Sequence, residues 1–232
     1  DKADAKQIAD FGDLHQASLK LCVCSEKTNY LKSLLSLRER FVTQKAGYIA
    51  SLKEQEAFLG INKSSPLLKT QKRMIAQLTD QIEEIETEIK KVISEDEAMK
   101  KNYELLVSIT GVGFVVACSM IVFTNNFTMF SDARKFASYC GIAPFDHSSG
   151  TSLVRRPRIS HLANKKIKCL LDLAARCAIN YDLELKAFFK RRTESGKNKR
   201  STINIVRNKL VYRMFAIVKR ETPFQKNYQN AA

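Results

Sequence analysis

From Leu68 to Met99 apolar side chains recur at intervals of three and four, with one closing step of seven: Ile75, Leu78, Ile82, Ile85, Ile89, Val92 and Met99. Such spacing places them on one stripe of a long α-helix and specifies a coiled-coil seam against another helix. A partner precedes it. Between Leu31 and Leu59 the pairs Leu34 and Leu35, Phe41 and Val42, Tyr48 and Ile49 return every seven residues, which predicts a second long helix with one apolar stripe. The intervening Gly60 to Pro66 has loop chemistry. Two long helices joined by so short a loop fold back most simply as an antiparallel hairpin, although either stripe could instead meet another protomer.

The rest of the chain is also mainly α in pattern. Tyr103 to Val122 reads helix, Gly111-Val112-Gly113 hairpin, helix, with Val112, Val115, Val116 and Ala117 as core. In such a helix-hairpin-helix-like element the glycines let a backbone approach closely, and the free N–H groups opening the second helix can bind a DNA phosphate. A tight turn inside an apolar core is the compatible structural alternative. A short helix capped by Ser131 or Asp132 buries Phe136, Ala137 and Tyr139 and ends at Gly141. Pro144 to Gly150 is expected to be a polar loop with Ser149 exposed on it. Lys165 to Tyr181 is amphipathic, capped by Asn164, with Ile167, Leu170, Leu171, Ala174, Ala175 and Ala178 inside and Lys165, Lys166 and Lys168 outside. Lys190 to Arg200 is a basic loop. Ile203 to Val218 forms a last helix that packs Ile205, Val206, Leu210, Tyr212, Met214, Phe215 and Val218 and exposes Arg207, Lys209 and Arg213, and the tail after Thr222 frays.

Charge divides the chain. Residues 145–232 hold 20 Lys plus Arg against 6 Asp plus Glu, a balance of +14, whereas residues 1–144 hold 19 against 18. The long hairpin, 12 against 11 between residues 31 and 100, has little pull on a polyanion. A half so basic, with enough apolar helix positions for a core, points to nucleic acid rather than to a membrane surface. No apolar run reaches eighteen residues, so no membrane span is expected. The six cysteines, at 22, 24, 118, 140, 169 and 177, include no Cys-x-x-Cys pair and read mostly as small core residues of a protein in a reducing cytosol; a structural zinc is not expected. The first residue is Asp1 rather than Met, which reads as a fragment.

Chemistry concentrates around Ser149-Gly150, followed by Arg155, Arg156 and Arg158. A serine hydroxyl attacks a phosphate only when a base activates it or cations stabilise the charge that gathers on the phosphate, and three arginines supply the second. The plain alternative is a flexible turn with a solvated basic flank. Asp1 and Asp4 stand one helical turn apart, a spacing that suits two carboxylates on Mg²⁺ and equally suits first-turn acids complementing a helix dipole.

Several of these stretches together resemble the transposases of the IS110 and IS111 insertion-sequence family, to which the Piv DNA invertases are related. The resemblance rests on Ser108-Ile-Thr-Gly-Val-Gly113, Phe130, Phe136-Ala-Ser-Tyr-Cys-Gly-Ile-Ala-Pro144, Ser149-Gly150, Ile159-Ser160 and Asn164 ahead of a basic helix. His161 departs from the family's usual lysine, and Ala163 from the glycine of its Gly-Asn pair. The resemblance implies that Ser149 is the nucleophile. Asp1-x-x-Asp4-Ala5 followed by Ile8-Ala9 is similar to the end of the family's RuvC-like nuclease domain, so Asp1 and Asp4 map onto the last two of its four metal-binding acids. The first two would lie upstream, and the fragment alone is expected to be inactive.

The expected organisation is therefore a RuvC-like remnant over residues 1–28, a coiled-coil hairpin over 29–100 and a helical transposase domain over 101–225. The expected function is that of a DNA recombinase in the bacterial cytoplasm, associated with the nucleoid. It would use Mg²⁺ and, by resemblance, a guide RNA and a homo-oligomer. DNA contacts are assigned to Gly111, Gly113, Arg155, Arg156, Arg158, Lys165 and Lys166. A non-catalytic helical DNA-binding module is the alternative from another functional class.

Overall fold

The computed structural model describes residues 2–16, 24–58, 65–143, 145–149, 153–159 and 162–225. Nine α-helices and one two-stranded hairpin are placed within them: α1 (Lys2–His15), α2 (Glu26–Phe58), α3 (Pro66–Ser94), α4 (Glu97–Val107), α5 (Phe114–Phe123), α6 (Ala133–Tyr139), β1 (Phe145–Ser149), β2 (Leu153–Arg158), α7 (Lys165–Tyr181), α8 (Leu183–Glu194) and α9 (Lys199–Arg220).

The protein is mainly helical. Helices α2 and α3 lie side by side and antiparallel, as their cross-links show: Lys27 Nζ donates to the Glu95 carbonyl, Arg38 pairs with Glu86 at 2.6 Å and Lys72 with Glu56 at 3.0 Å. Helix α3 starts on Ser65, whose Oγ accepts from the Leu67 N–H, with Pro66 in the first turn where no amide donor is required. Its Leu78, Ile82, Ile85, Ile89 and Val92 are buried. The regular stripe is thus covered within one chain. On α2 the burial fades with distance from the domain: Leu34 and Leu35 are buried, Phe41, Tyr48 and Ile49 half-buried and Val42 exposed.

A continuous core joins the near end of this pair to the helical domain, running from Leu31 through Ile89 and Ile93 to Ile217. Helix α5 is its centre. From Val116 to Val122 every side chain is buried, because α2, α4 and α7 pack around it, so the sequence there is apolar without any amphipathic stripe. Helix α4 opens on Asp96, whose carboxylate accepts from the Met99 N–H, and closes before Gly111, the turn's left-handed residue at φ 95°.

After α5 the chain reverses through Asn125, Asn126 and Phe127, three consecutive residues in the left-handed region. Such a run is unfavourable for L-residues, above all for Phe. Buried Thr124 holds it: its Oγ1 donates to the Met120 carbonyl at 2.6 Å and accepts from the Phe127 N–H at 2.9 Å. The Asn126 N–H reaches the Ile121 carbonyl at 2.7 Å. Phe127 then packs edge-on against Phe215 of α9, 5.0 Å between centroids.

Five expectations change here. Within the loop expected over Pro144 to Gly150, residues 145–149 form a strand, paired antiparallel with residues 153–158. Lys190 to Glu194 complete α8, leaving only a short turn before α9. Tyr212 is exposed, whereas Arg207 and Arg213 are mostly covered because each reaches an acid across a helix interface. The tail remains docked as far as Phe224, whose N–H donates to Ser108 Oγ at 2.9 Å and whose ring lies 4.7 Å from the Arg213 guanidinium. Of the cysteines, Cys118 and Cys140 are core residues, but Cys169 and Cys177 are exposed on α7.

Candidate functional site

The hairpin β1–β2 carries the serine and the three arginines. Its register sets Ser149 opposite Leu153, Ser148 opposite Val154 and His147 opposite Arg155, with Phe145 opposite Arg158. Two steps along β1 from Phe145 to His147 match three along β2 from Arg155 to Arg158, so β2 holds one extra residue. That interval contains Pro157, which has no amide donor and is tolerated where a bulge breaks the ladder. Ser149 occupies the last pair before the connection at 150–152. Backbone pairing thus brings the serine strand and the arginine strand into one unit.

The foot of the hairpin is built from α6 and the start of α7. Asp132 caps α6 by accepting from the Lys135 N–H at 2.9 Å, and that bond holds its carboxyl below the usual carboxylate range. Gly141 ends the helix at φ 64°, and a Cβ there would meet Ala163 Cβ at 2.6 Å. The glycine is therefore required for its backbone angle and for its missing side chain together. Asn164 completes the joint: its Oδ1 accepts from the N–H groups of Lys166 and Ile167, its Nδ2 donates to Tyr139 Oη at 2.8 Å, and its own N–H reaches the Tyr139 carbonyl at 2.9 Å. One residue both caps α7 and ties it to α6.

The other expected site residues are dispersed. Gly111 sits against α7, where a Cβ would fall 2.6 Å from the Ala174 carbonyl oxygen and 2.9 Å from the Ala178 nitrogen. Its position answers to packing. Gly113 is exposed, a Cβ there would meet nothing within 4 Å, and it precedes the first turn of α5 without any side-chain cap. Lys165 is exposed, but Lys166 pairs with Glu39 of α2 and pins α7 to the long helix pair. Asp4 lies exposed in the first turn of α1, a helix with no buried residue, while Asp1 lies outside the described residues. Gly150 does also. A carboxylate oxygen suits Mg²⁺, yet among the described residues no three His, Cys, Asp or Glu side chains come together as a metal cluster. The described residues do not by themselves build that site.

Sequence reading missed the ion pairs of α7 and α9. Asp172 accepts from Arg176 Nε at 2.8 Å and pairs with Arg207 at 2.8 Å. Burial pushes its carboxyl up, but the Arg176 hydrogen bond and the Arg207 charge outweigh this and leave it below the usual range. Arg213 pairs with Asp182 at 2.7 Å and with Glu184 at 2.6 Å. Their only signal in the sequence is acids and arginines on helix faces that the topology brings together.

Residues 103–190 match the model of the transposase IS116/IS110/IS902 family. That stretch is similar to a domain of this transposase family. Its span runs from the end of α4 through the hairpin to α8, so it contains the whole structural unit around Ser149. Among relatives, the pilin gene-inverting protein of Moraxella lacunata is 26% identical over 154 residues, which cover 66% of this chain and 48% of that protein. An uncharacterized 43.6 kDa protein of insertion element IS110 from Streptomyces coelicolor is 27% identical over 121 residues, covering 52% of this chain and 30% of the relative. The chain thus spans less than half the length of these curated relatives. Among the described residues no helix is long and apolar enough to cross a membrane.

Proposed function

We propose that the protein is part of a DNA recombinase that cleaves and rejoins strands through Ser149. The observation that carries this reading is the family domain at residues 103–190, which contains the serine strand and the arginine strand paired to it. The inverting activity in a relative's name and the +14 balance of residues 145–232 support the same class of reaction. Ser149 Oγ attacks the phosphorus of a phosphodiester. A serine–phosphorus bond forms, the bond to the 3′-oxygen breaks, and that oxygen takes up a proton; the reverse step on another strand rejoins DNA and frees the serine. Arg155, Arg156 and Arg158 stabilise the charge that develops on the phosphate.

By resemblance, Asp1 and Asp4 supply two ligands of a Mg²⁺ site completed by acids elsewhere in the full protein, where the metal would neutralise phosphate charge. An element-encoded guide RNA and a homo-oligomer belong to the same proposal. Because the α3 stripe is covered by α2, an oligomer would use a different surface.

A non-catalytic DNA-binding module is the second reading, favoured by the pairing of Ser149 with Leu153 inside an antiparallel hairpin. A plasmid recombination assay with the full-length protein separates the two. Ser149→Ala abolishes strand exchange while Ser148→Ala retains it; recombination by Ser149→Ala refutes the nucleophile.

A further inference from the structure

Helices α7 and α9 bound an open cleft of about 500 Å³ that the hairpin assignment does not include. Lys168, Asp172 and Arg176 follow one another at single-turn intervals along α7, and Arg200, Ile203 and Arg207 do so along α9, so each helix turns one face to the cleft. Four cations therefore surround one carboxylate. Asp172 is shared between Arg176 and Arg207, and among the described residues no acid pairs with Lys168 or Arg200. The Arg207 guanidinium also keeps a buried Nε without an acceptor. Lys168 is half-buried beside Arg207; burial first, and then that like charge, push its ammonium below the usual lysine range. Cations gathered with too few acids are stabilised by an anion, and a phosphodiester offers the oxygen geometry that arginine and lysine recognise.

The cleft has a definite place. A Cβ on Gly141 would lie 3.9 Å from Lys168 Nζ and 4.0 Å from Ile159 Cβ. The ammonium thus sits where α6 ends and where the chain leaves β2, at the foot of the hairpin. Asn204 of α9 fixes the same corner by donating to the Ile142 carbonyl at 2.8 Å.

We infer that this cleft binds backbone phosphate of the DNA strand engaged by the hairpin, with Lys168 and Arg200 as its phosphate contacts and Arg207 as a positioning residue held by Asp172. The inference rests on the recombinase reading, and its test is separable from it. Cys169 lines the cleft and is exposed, while Cys177, also exposed on α7, lies outside its lining.

The full-length protein is titrated with a fluorescein-labelled DNA duplex at several salt concentrations, and thiol alkylation by iodoacetamide is followed with and without that duplex. The expected result is protection of Cys169 but not Cys177. A Lys168→Gln/Arg200→Gln double variant should fold normally and show a log affinity against log salt slope shallower by about 1.8, since each lost contact removes roughly 0.9. DNA binding by wild type with Cys169 alkylated at its free rate, or with an unchanged slope in the double variant, overturns the cleft assignment and leaves the recombinase reading standing. Protection by an RNA duplex alone also overturns it. Failure of the wild type to bind the DNA at all refutes both.

Discussion

Gly111→Ala separates packing from phosphate binding in the α4–α5 turn. Alanine at φ 95° places its Cβ in the left-handed region, which costs roughly 1–2 kcal/mol. The same Cβ would meet the Ala174 carbonyl oxygen at 2.6 Å and Ala178 Cβ at 2.8 Å. These contacts are backbone and β-carbon rather than the end of a flexible chain, so α7 must move, at about 1–3 kcal/mol. The expected loss is therefore about 2–5 kcal/mol, a large part of the ~5–15 kcal/mol typical of a folded protein. With a urea m-value of about 2 kcal/mol/M, the midpoint should fall by roughly 1–2.5 M. Gly113→Ala provides the contrast: its φ is −91°, the added Cβ meets nothing within 4 Å, and a loss of no more than about 1 kcal/mol is expected. Equal midpoints for Gly111→Ala and wild type in urea denaturation followed by circular dichroism would refute the packing role.

Three further outcomes follow from named contacts. Arg213→Ala strands the buried Asp182 carboxylate, which also caps α8 through the Leu185 N–H, and should cost about 3 kcal/mol in urea denaturation. Asp172 titrates below its ordinary value of 3.8, so its contribution is fully present above that value and is lost as pH falls through the lowered one. Asp172→Asn and wild type should thus differ in stability near pH 7 and converge in strong acid. Burial pushes the Cys118 thiol up to about 12 and raises Cys140 as well. In mass-spectrometric footprinting at neutral pH, iodoacetamide should label Cys169 and Cys177 and spare Cys118 and Cys140 until the protein unfolds.

Helices were legible where the local code was strong. The spacing of Ile82, Ile85 and Ile89 marks α3, and Asp132, Asn164 and Gly141 mark helix ends because their capping chemistry is local. The hairpin was not legible. FDHSS and LVRRPR lack the alternation that marks a half-buried strand, and the connection at 150–152 carries no two-residue turn signal. Arg207 and Arg213 looked like a solvated face because their acids lie on other helices, where only topology makes them partners. The Lys166–Glu39 pair was illegible for the same reason, because Glu39 lies far away in sequence. The serine and arginines stand out in the sequence by residue type, whereas the cationic cleft became visible only once α7 and α9 were placed together.

A covalent-trapping assay tests the central claim most directly. The full-length protein is incubated with a nicked suicide DNA substrate, denatured, and examined for DNA that migrates with protein. An adduct is expected with wild type and with Ser148→Ala, and none with Ser149→Ala, whose affinity for the same DNA stays at the wild-type level because binding rests on arginines and lysines. An adduct that persists in Ser149→Ala contradicts the account.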